Sequence, residues 1–203
     1  MGEIILKVKE PLKVPVYAPE ITPENLAGKS IQEIQDLMIW EGNRRVKLGE
    51  LFEVKGEPTP EPQDLRIKIK GDVSKVREIG CGMKSGSIVI EGSAGMYLGY
   101  KMAGGSILVE GDAASFLGSR MKGGTIEAKG NAGDLVGAPY RGSTKGMRDG
   151  LIIIHGDAGS EVGCWMNGGT ILVHGSTGPF PGIHMVGGTI MICLLYTSPS
   201  PRD

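Results

Sequence analysis

A chain of 203 residues, 40% apolar and 5% aromatic, can bury a core as one domain or as a small unit joined to a larger one. Its formal net charge of −1 gives no electrostatic footprint for nucleic acid, and three cysteines without a CxxC pair fit reduced thiols better than a disulfide framework. Thirty-four glycines with no every-third-residue period exclude collagen and point to a turn-rich repeat.

The first residues lack an apolar h-region and a cleavage site, and Leu6 stands where a myristoylation signal requires Ser or Thr. Neither a signal peptide nor acylation of Gly2 is expected. No apolar run reaches the roughly 18 residues needed to span a membrane, so no membrane partner is expected and the cytoplasm is the expected address. Ile4–Val8 reads as a strand. Thr22-Pro23-Glu24 supplies an N-cap, a proline at the first helical position and an early acid. A capping box at Ser30 and Glu33 predicts a helix with Ile31, Ile34, Leu37 and Met38 on one face. A strand pair is expected around Val46 and at Leu51–Val54, with Gly49 between, and Gly56–Pro62 reads as a stiff, extended linker. Residues 1–62 are therefore expected to form a small α+β module with its linker.

From residue 63 the chain becomes periodic. Repeats run Ser87–Gly105, Ser106–Gly124, Thr125–Gly150, Leu151–Gly169 and Thr170–Gly188, each of 19 residues except the third, which has 26. One glycine series is Gly92, Gly111, Gly130, Gly156 and Gly175; a second follows seven residues later at Gly99, Gly118, Gly137, Gly163 and Gly182. A unit this short has no room for a helix, but suits one turn of a solenoid of short strands and glycine bends. The expected fold is a right-handed parallel β-helix, a single-stranded solenoid of 19-residue coils over residues 63–192, preceded by the α+β module. Coils would then stack about 4.8 Å apart. Alternation along Ser87–Glu91 puts Ile88 and Ile90 inward, with Ile107 and Val109, Ile126 and Ala128, Ile152 and Ile154, and Ile171 and Val173 as their equivalents. The methionines Met83, Met102, Met121, Met147, Met166 and Met185 read as core filler at a corner.

The opposite side of the same strands is less ordinary. Its ladder reads Lys68, Val89, Leu108, Glu127, Ile153, Leu172, Met191, where a solvated face should be polar. Leu108, Ile153 and Leu172 are therefore expected to be covered, by the N-terminal module or by a partner. The repeated Gly-x-x-(Gly/Ala)-x-x-x-Gly resembles a phosphate-cradling loop, but five tandem copies without a helix assign the ten recurrent glycines to geometry. His155 and His174 share one slot in adjacent repeats, a polar ladder with Glu91, Glu110 and Lys129, and no third ligand is evident for a metal. Cys164 reads as packed rather than nucleophilic. The seven extra residues of the third repeat fall within Ala138–Gly146, and Tyr140, Arg141 and Lys145 make this loop the most specific candidate contact, with a tolerated surface insertion as the alternative. No catalytic, cofactor or metal residue is expected. Residues 193–203 lack the repeat's glycines and are expected to be a tail not native to the fold, on a chain that breaks off before its last coils.

The tandem repeats resemble the β-helix domain at the C-terminus of the glutamate synthase large subunit. With Ile39-Trp-Glu-Gly-Asn-Arg-Arg-Val-Lys-Leu-Gly-Glu-Leu-Phe52 ahead of Met-x-Gly-Gly-(Ser/Thr)-Ile repeats, the chain is similar to the C subunit of formylmethanofuran dehydrogenase. That resemblance implies a non-catalytic spacer in a complex that reduces carbon dioxide and attaches it as a formyl group to methanofuran. It also implies that the molybdenum or tungsten pterin, the iron–sulfur clusters and the zinc amidohydrolase site sit on other subunits. The C subunit of a bacterial formyltransferase/hydrolase complex, a glutamate-synthase-like structural domain and an independent enzyme are the alternatives.

Overall fold

The computed structural model describes residues 2–140 and 142–193. The chain opens with strand β1 (Gly2–Val8), whose Ile4 and Leu6 are buried, and the short β2 (Val16–Tyr17). Helix α1 (Pro23–Leu26) begins at Thr22, whose hydroxyl accepts from the Asn25 amide at 3.3 Å. Helix α2 (Ile31–Gln35) carries the reciprocal Ser30/Glu33 capping box. It ends earlier than its apolar spacing suggests, because Met38 already belongs to β3 (Met38–Glu41), which pairs with β4 (Arg44–Lys47). Gly49 lies in a third short helix, α3 (Leu48–Leu51). The expected strand pair is therefore not formed: β5 (Phe52–Glu57) leaves α3 and runs antiparallel to β1 instead.

The periodic region contributes β6 (Leu65–Lys70), the two-residue β7 (Val76–Arg77), β8 (Ser87–Glu91), β9 (Ala103–Val109), β10 (Lys122–Ala128), β11 (Asp149–Ile154), β12 (Asn167–Val173) and β13 (Gly187–Ile192). Each repeat adds one full strand, parallel to the one before and in register. Ile67, Ile88, Ile107, Ile126, Ile152 and Ile171 lie side by side and are buried. The far side of each repeat gives only single bridges, a row through Ala94, Ala113, Ala132 and Ala158. Alanine suits that row because a small side chain lets neighbouring backbones meet over a thin core.

These strands form two mixed sheets and no closed barrel: nine strands in the order β13-β12-β11-β10-β9-β8-β6-β1-β5, and four in the order β4-β3-β2-β7. This overturns the expected single-stranded parallel β-helix. β1 lies parallel to β6 and antiparallel to β5, so N-terminal strands extend the same sheet as the repeats and make it mixed. The second sheet likewise joins antiparallel pairs to the parallel pair β2–β7. The 19-residue period reports only the contacts of one repeat with the next. It carries no information on a non-periodic strand that pairs with the first of them.

The two glycine series have different causes. Gly99 turns through φ +66°, and a Cβ there would lie 2.4 Å from Ile126 Cδ1, so both backbone and space require glycine. Gly130 has no left-handed φ, but a Cβ would come 2.3 Å from Asp112 Oδ1 of the preceding repeat. That oxygen accepts the Asn131 amide at 2.7 Å, and the same bond recurs from the Asp157 amide to Asn131 Oδ1 at 2.9 Å and from the Ser176 amide to Asp157 Oδ1 at 2.7 Å. Met83, Met102, Met121, Met147 and Met166 are fully buried, whereas Met185 is half-buried.

Candidate partner interface

The outward face of the nine-stranded sheet is built in lanes. The central lane joins Ile5, Lys68, Val89, Leu108, Glu127, Ile153, Leu172 and Met191 across consecutive strands. Leu108, Ile153 and Leu172 are half-exposed, and Met191 is 51% exposed. Helices α2 and α3 pack against each other and along β5, and α1 packs on β6, so their main contacts lie away from β9–β12. The N-terminal segment therefore does not supply the expected cover. A partly exposed apolar lane, interrupted between β9 and β13 only by Glu127, is the kind of surface a partner removes from solvent.

Charged groups punctuate and flank this lane. Lys68 Nζ meets Glu91 Oε1 at 2.6 Å, and Glu127 takes an ion pair from Lys129 and a hydrogen bond, at 2.8 Å, with His155 Nε2. Hydrogen bonds from Lys129 and then His155 hold the Glu127 carboxyl below the usual carboxylate range. His155 and His174 stack face to face with centroids 5.0 Å apart and planes 6° from parallel. With His155 Nε2 turned to Glu127, the pair is held by stacking and by a hydrogen bond.

The third-repeat loop leaves and re-enters at fixed points. The Met147 amide donates to Gly137 O at 2.7 Å, matching the bond from Met102 to Gly99 in a plain repeat, so the insertion loops out without breaking the stack. At its base Ser119 Oγ donates to Ala138 O at 2.7 Å in a fully buried position. Tyr140 is 50% exposed and its ring folds back over Tyr97, with centroids 5.7 Å apart. Lys145 is exposed. Arg141 lies outside the described residues, as do residues 194–203 of the tail, while Cys193 is exposed.

Sequence reasoning missed what Tyr140 joins. Tyr97 also stacks on Phe116 at 4.5 Å and meets Tyr100 edge-on at 5.9 Å, while Trp165 stacks on His184 at 4.5 Å. The signal was available as Tyr97 and Phe116 occupying one slot of adjacent repeats. Burial, with the Glu78 carboxylate alongside, pushes the Cys81 thiol up to about 11, and burial and then Glu161 also raise Cys164. Both thiols are thereby kept from the reactive thiolate form. Among the described residues no group of three or more His, Cys, Asp or Glu is placed to hold a metal ion, and no helix is long and apolar enough to cross a membrane.

Fold and surface together define a mainly β chain of stacked glycine-rich repeats with a half-exposed aliphatic lane. No family model matches it. It is 50% identical over 99 residues to the C subunit of the tungsten-containing formylmethanofuran dehydrogenase 2 of Methanothermobacter wolfeii, a match covering 49% of this chain and 37% of that protein. The C subunit of the molybdenum-containing formylmethanofuran dehydrogenase 1 of Methanosarcina barkeri is 45% identical over 98 residues, 48% of this chain and 33% of that one. The matches thus span about a third of these relatives' length. A crystal structure of the formyltransferase/hydrolase complex from Methylorubrum extorquens, with methylofuran, contains a chain that superposes with TM-score 0.83 at 29% identity, over 93% of this chain and 76% of that one. By sequence the chain resembles the C subunit of formylmethanofuran dehydrogenase.

Proposed function

We propose that this chain is a non-catalytic scaffold subunit of formylmethanofuran dehydrogenase, the complex that reduces carbon dioxide and forms N-formylmethanofuran. The observation that carries the reading is the similarity, at up to 50% identity, to the C subunits of both the tungsten and the molybdenum enzymes. The half-exposed aliphatic lane through Leu108, Ile153 and Leu172 supports it, since a spacer needs surfaces that companions cover. In this reading residues 1–62 close one end of the large sheet and residues 63–192 present the repeat surface. The ten recurrent glycines serve packing. Tyr140, Arg141 and Lys145 join the lane as partner contacts, and the pterin metal, iron–sulfur clusters and zinc are carried by other subunits in the cytoplasm.

The structural likeness over 93% of the chain favours a second reading, a subunit of a formyltransferase/hydrolase complex of the bacterial kind. Companions separate the two: a pterin-binding oxidoreductase for the first, a formyltransferase without one for the second. The scaffold role itself is tested by assaying formylmethanofuran oxidation with the complete complex, with the complex lacking this chain and with this chain alone. Activity is expected only when the chain and its companions are combined; turnover by the isolated chain would overturn the reading.

A further inference from the structure

Every repeat turns one corner through left-handed residues spaced two apart, and the corner divides its side chains by direction. The middle residue is always glycine: Gly80, Gly99, Gly118, Gly137, Gly163 and Gly182. It faces the core; a Cβ on Gly163, for example, would lie 2.4 Å from Ile190 Cδ1. The residues on either side have the same left-handed backbone, and at Gly82, the one glycine among them, a Cβ would meet nothing within 4 Å. All ten non-glycine residues with positive φ among the described residues fall at these two flanking positions. They include Tyr97 (63°), Phe116 (65°) and Phe180 (62°) on one side, and Lys101 (56°), Arg120 (57°) and Trp165 (53°) on the other.

Large L-residues adopt this backbone at a cost that glycine escapes. A chain with 34 glycines uses only one, Gly82, at these flanking positions. What most of the large residues add is surface, although Phe116 is buried. Tyr97, Tyr100, Phe116, Tyr140, Trp165 and Phe180, more than half of the chain's aromatic residues, gather along this single edge. Phe180 is 64% exposed and Tyr140 50%. Backbone bonds stack the corners, from the Tyr97 amide to Ser115 O, the Phe116 amide to Asp134 O and the Trp165 amide to Ile183 O; Leu135 and Glu161 stand between Phe116 and Phe180 on the same flank.

The edge is also basic. Lys101 Nζ lies 4.8 Å from the centre of the Tyr100 ring, and Arg120 takes the same flanking position one repeat on. The acids in the column, Glu78 and Glu161, are half-buried and hydrogen-bonded locally, Glu78 to Tyr17 and Cys81 and Glu161 to Cys164. Two exposed rings, Tyr140 and Phe180, and the half-buried Tyr97, Tyr100 and Trp165 beside cations, on a backbone that tolerates strain to present them, are the make-up of a protein-binding hot spot.

We infer that this aromatic, basic corner, running from Tyr97 and Lys101 to Trp165 and Phe180, is a docking edge for an acidic surface of a companion protein. The inference rests on the subunit reading above and is distinct from the aliphatic lane of the sheet. It is tested with the tagged full chain co-expressed with its companions, by comparing the unsubstituted chain with Lys101→Gly/Arg120→Gly/Phe180→Gly and with Trp165→Gly. Glycine relieves the backbone at each site, so the melting temperature of the isolated variants should hold or rise. Retention of companions should fall at least tenfold, and retention by the unsubstituted chain should weaken as salt is raised. A melting temperature several degrees lower would mean that these side chains hold the fold, and would overturn the inference, as would equal retention by variants and unsubstituted chain. Retention abolished by nuclease would overturn it by showing a nucleic-acid bridge. If the unsubstituted chain retains no companion at all, the subunit reading itself fails, a result separable from the others.

Discussion

Gly118→Ala probes the interlock between repeats most sharply. Gly118 has φ +61°, and a Cβ there would meet Ile152 Cδ1 at 2.4 Å and Cγ1 at 3.3 Å. The left-handed backbone costs an L-residue about 1–2 kcal/mol. Forcing a methyl into a filled core costs about 1–3 kcal/mol more, because Ile152 is fully buried and has nowhere to retreat. Together these predict a loss of about 2–5 kcal/mol, a large share of the roughly 5–15 kcal/mol that holds a domain together, and a drop in melting temperature on the order of 10 °C for a chain of this size. Gly82→Ala is the control: its φ is +67° but nothing lies within 4 Å of the added Cβ, so only the backbone part should be lost. Thermal and urea denaturation of both variants against the parent measures the difference. Equal losses in the two would refute the argument that the Ile152 side chain fills the space glycine leaves.

Met121→Ala empties a fully buried corner and should cost about 2–5 kcal/mol by urea denaturation; a change under about 0.5 kcal/mol would mean the methionines are not core filler. Asp157 is held below the usual carboxylate range by the Ser176 amide and then its hydroxyl. A depressed native pKa gives stability that is present above the unfolded value near about 3.9 and is lost as pH falls through the native one. Asp157→Asn keeps the acceptor, as Asn131 does one repeat earlier, and should flatten the stability curve below about pH 4; an unchanged acid limb would remove Asp157 as a contributor. Leu108→Lys/Leu172→Lys should leave the isolated chain folded, since both side chains are only partly buried and a lysine can reach water from there, yet abolish co-isolation of companions; undiminished co-isolation would show that the lane stays bare in the assembly. Tyr140→Ala/Lys145→Ala should lower companion retention without shifting the melting temperature, and unaltered retention would assign the loop to tolerated surface insertion.

What could be read from the sequence was whatever repeats or acts locally. The row of Ile88, Ile107 and Ile126 follows from alternation within a strand combined with a fixed period, and strand pairing places them side by side. The Ser30/Glu33 capping box spans four residues and forms as expected. Failure came where a non-repeating segment decides the outcome. Nothing in Phe52–Glu57 says that it pairs with Gly2–Val8 rather than with Arg44–Lys47, yet that choice makes the large sheet mixed. Gly49 misled for a similar reason: read as a turn, it sits in a helical turn whose Leu48 is buried, so core packing outweighs glycine's poor helix propensity. At the interface, the apolar lane was legible because a polar residue was expected and absent. The aromatic edge was legible only as Tyr97 and Phe116 sharing a slot of adjacent repeats; its left-handed backbone was not, because φ there cannot be read from residue type and large residues usually avoid it.

The scaffold proposal is tested most directly by isolating the tagged native chain from its source under mild conditions and identifying what travels with it. A stoichiometric set that includes a metal–pterin oxidoreductase and a zinc hydrolase, with the metals absent from this polypeptide after separation, is the result predicted. A chain that emerges alone, and carries out formyl transfer or carbon dioxide reduction by itself, would contradict it.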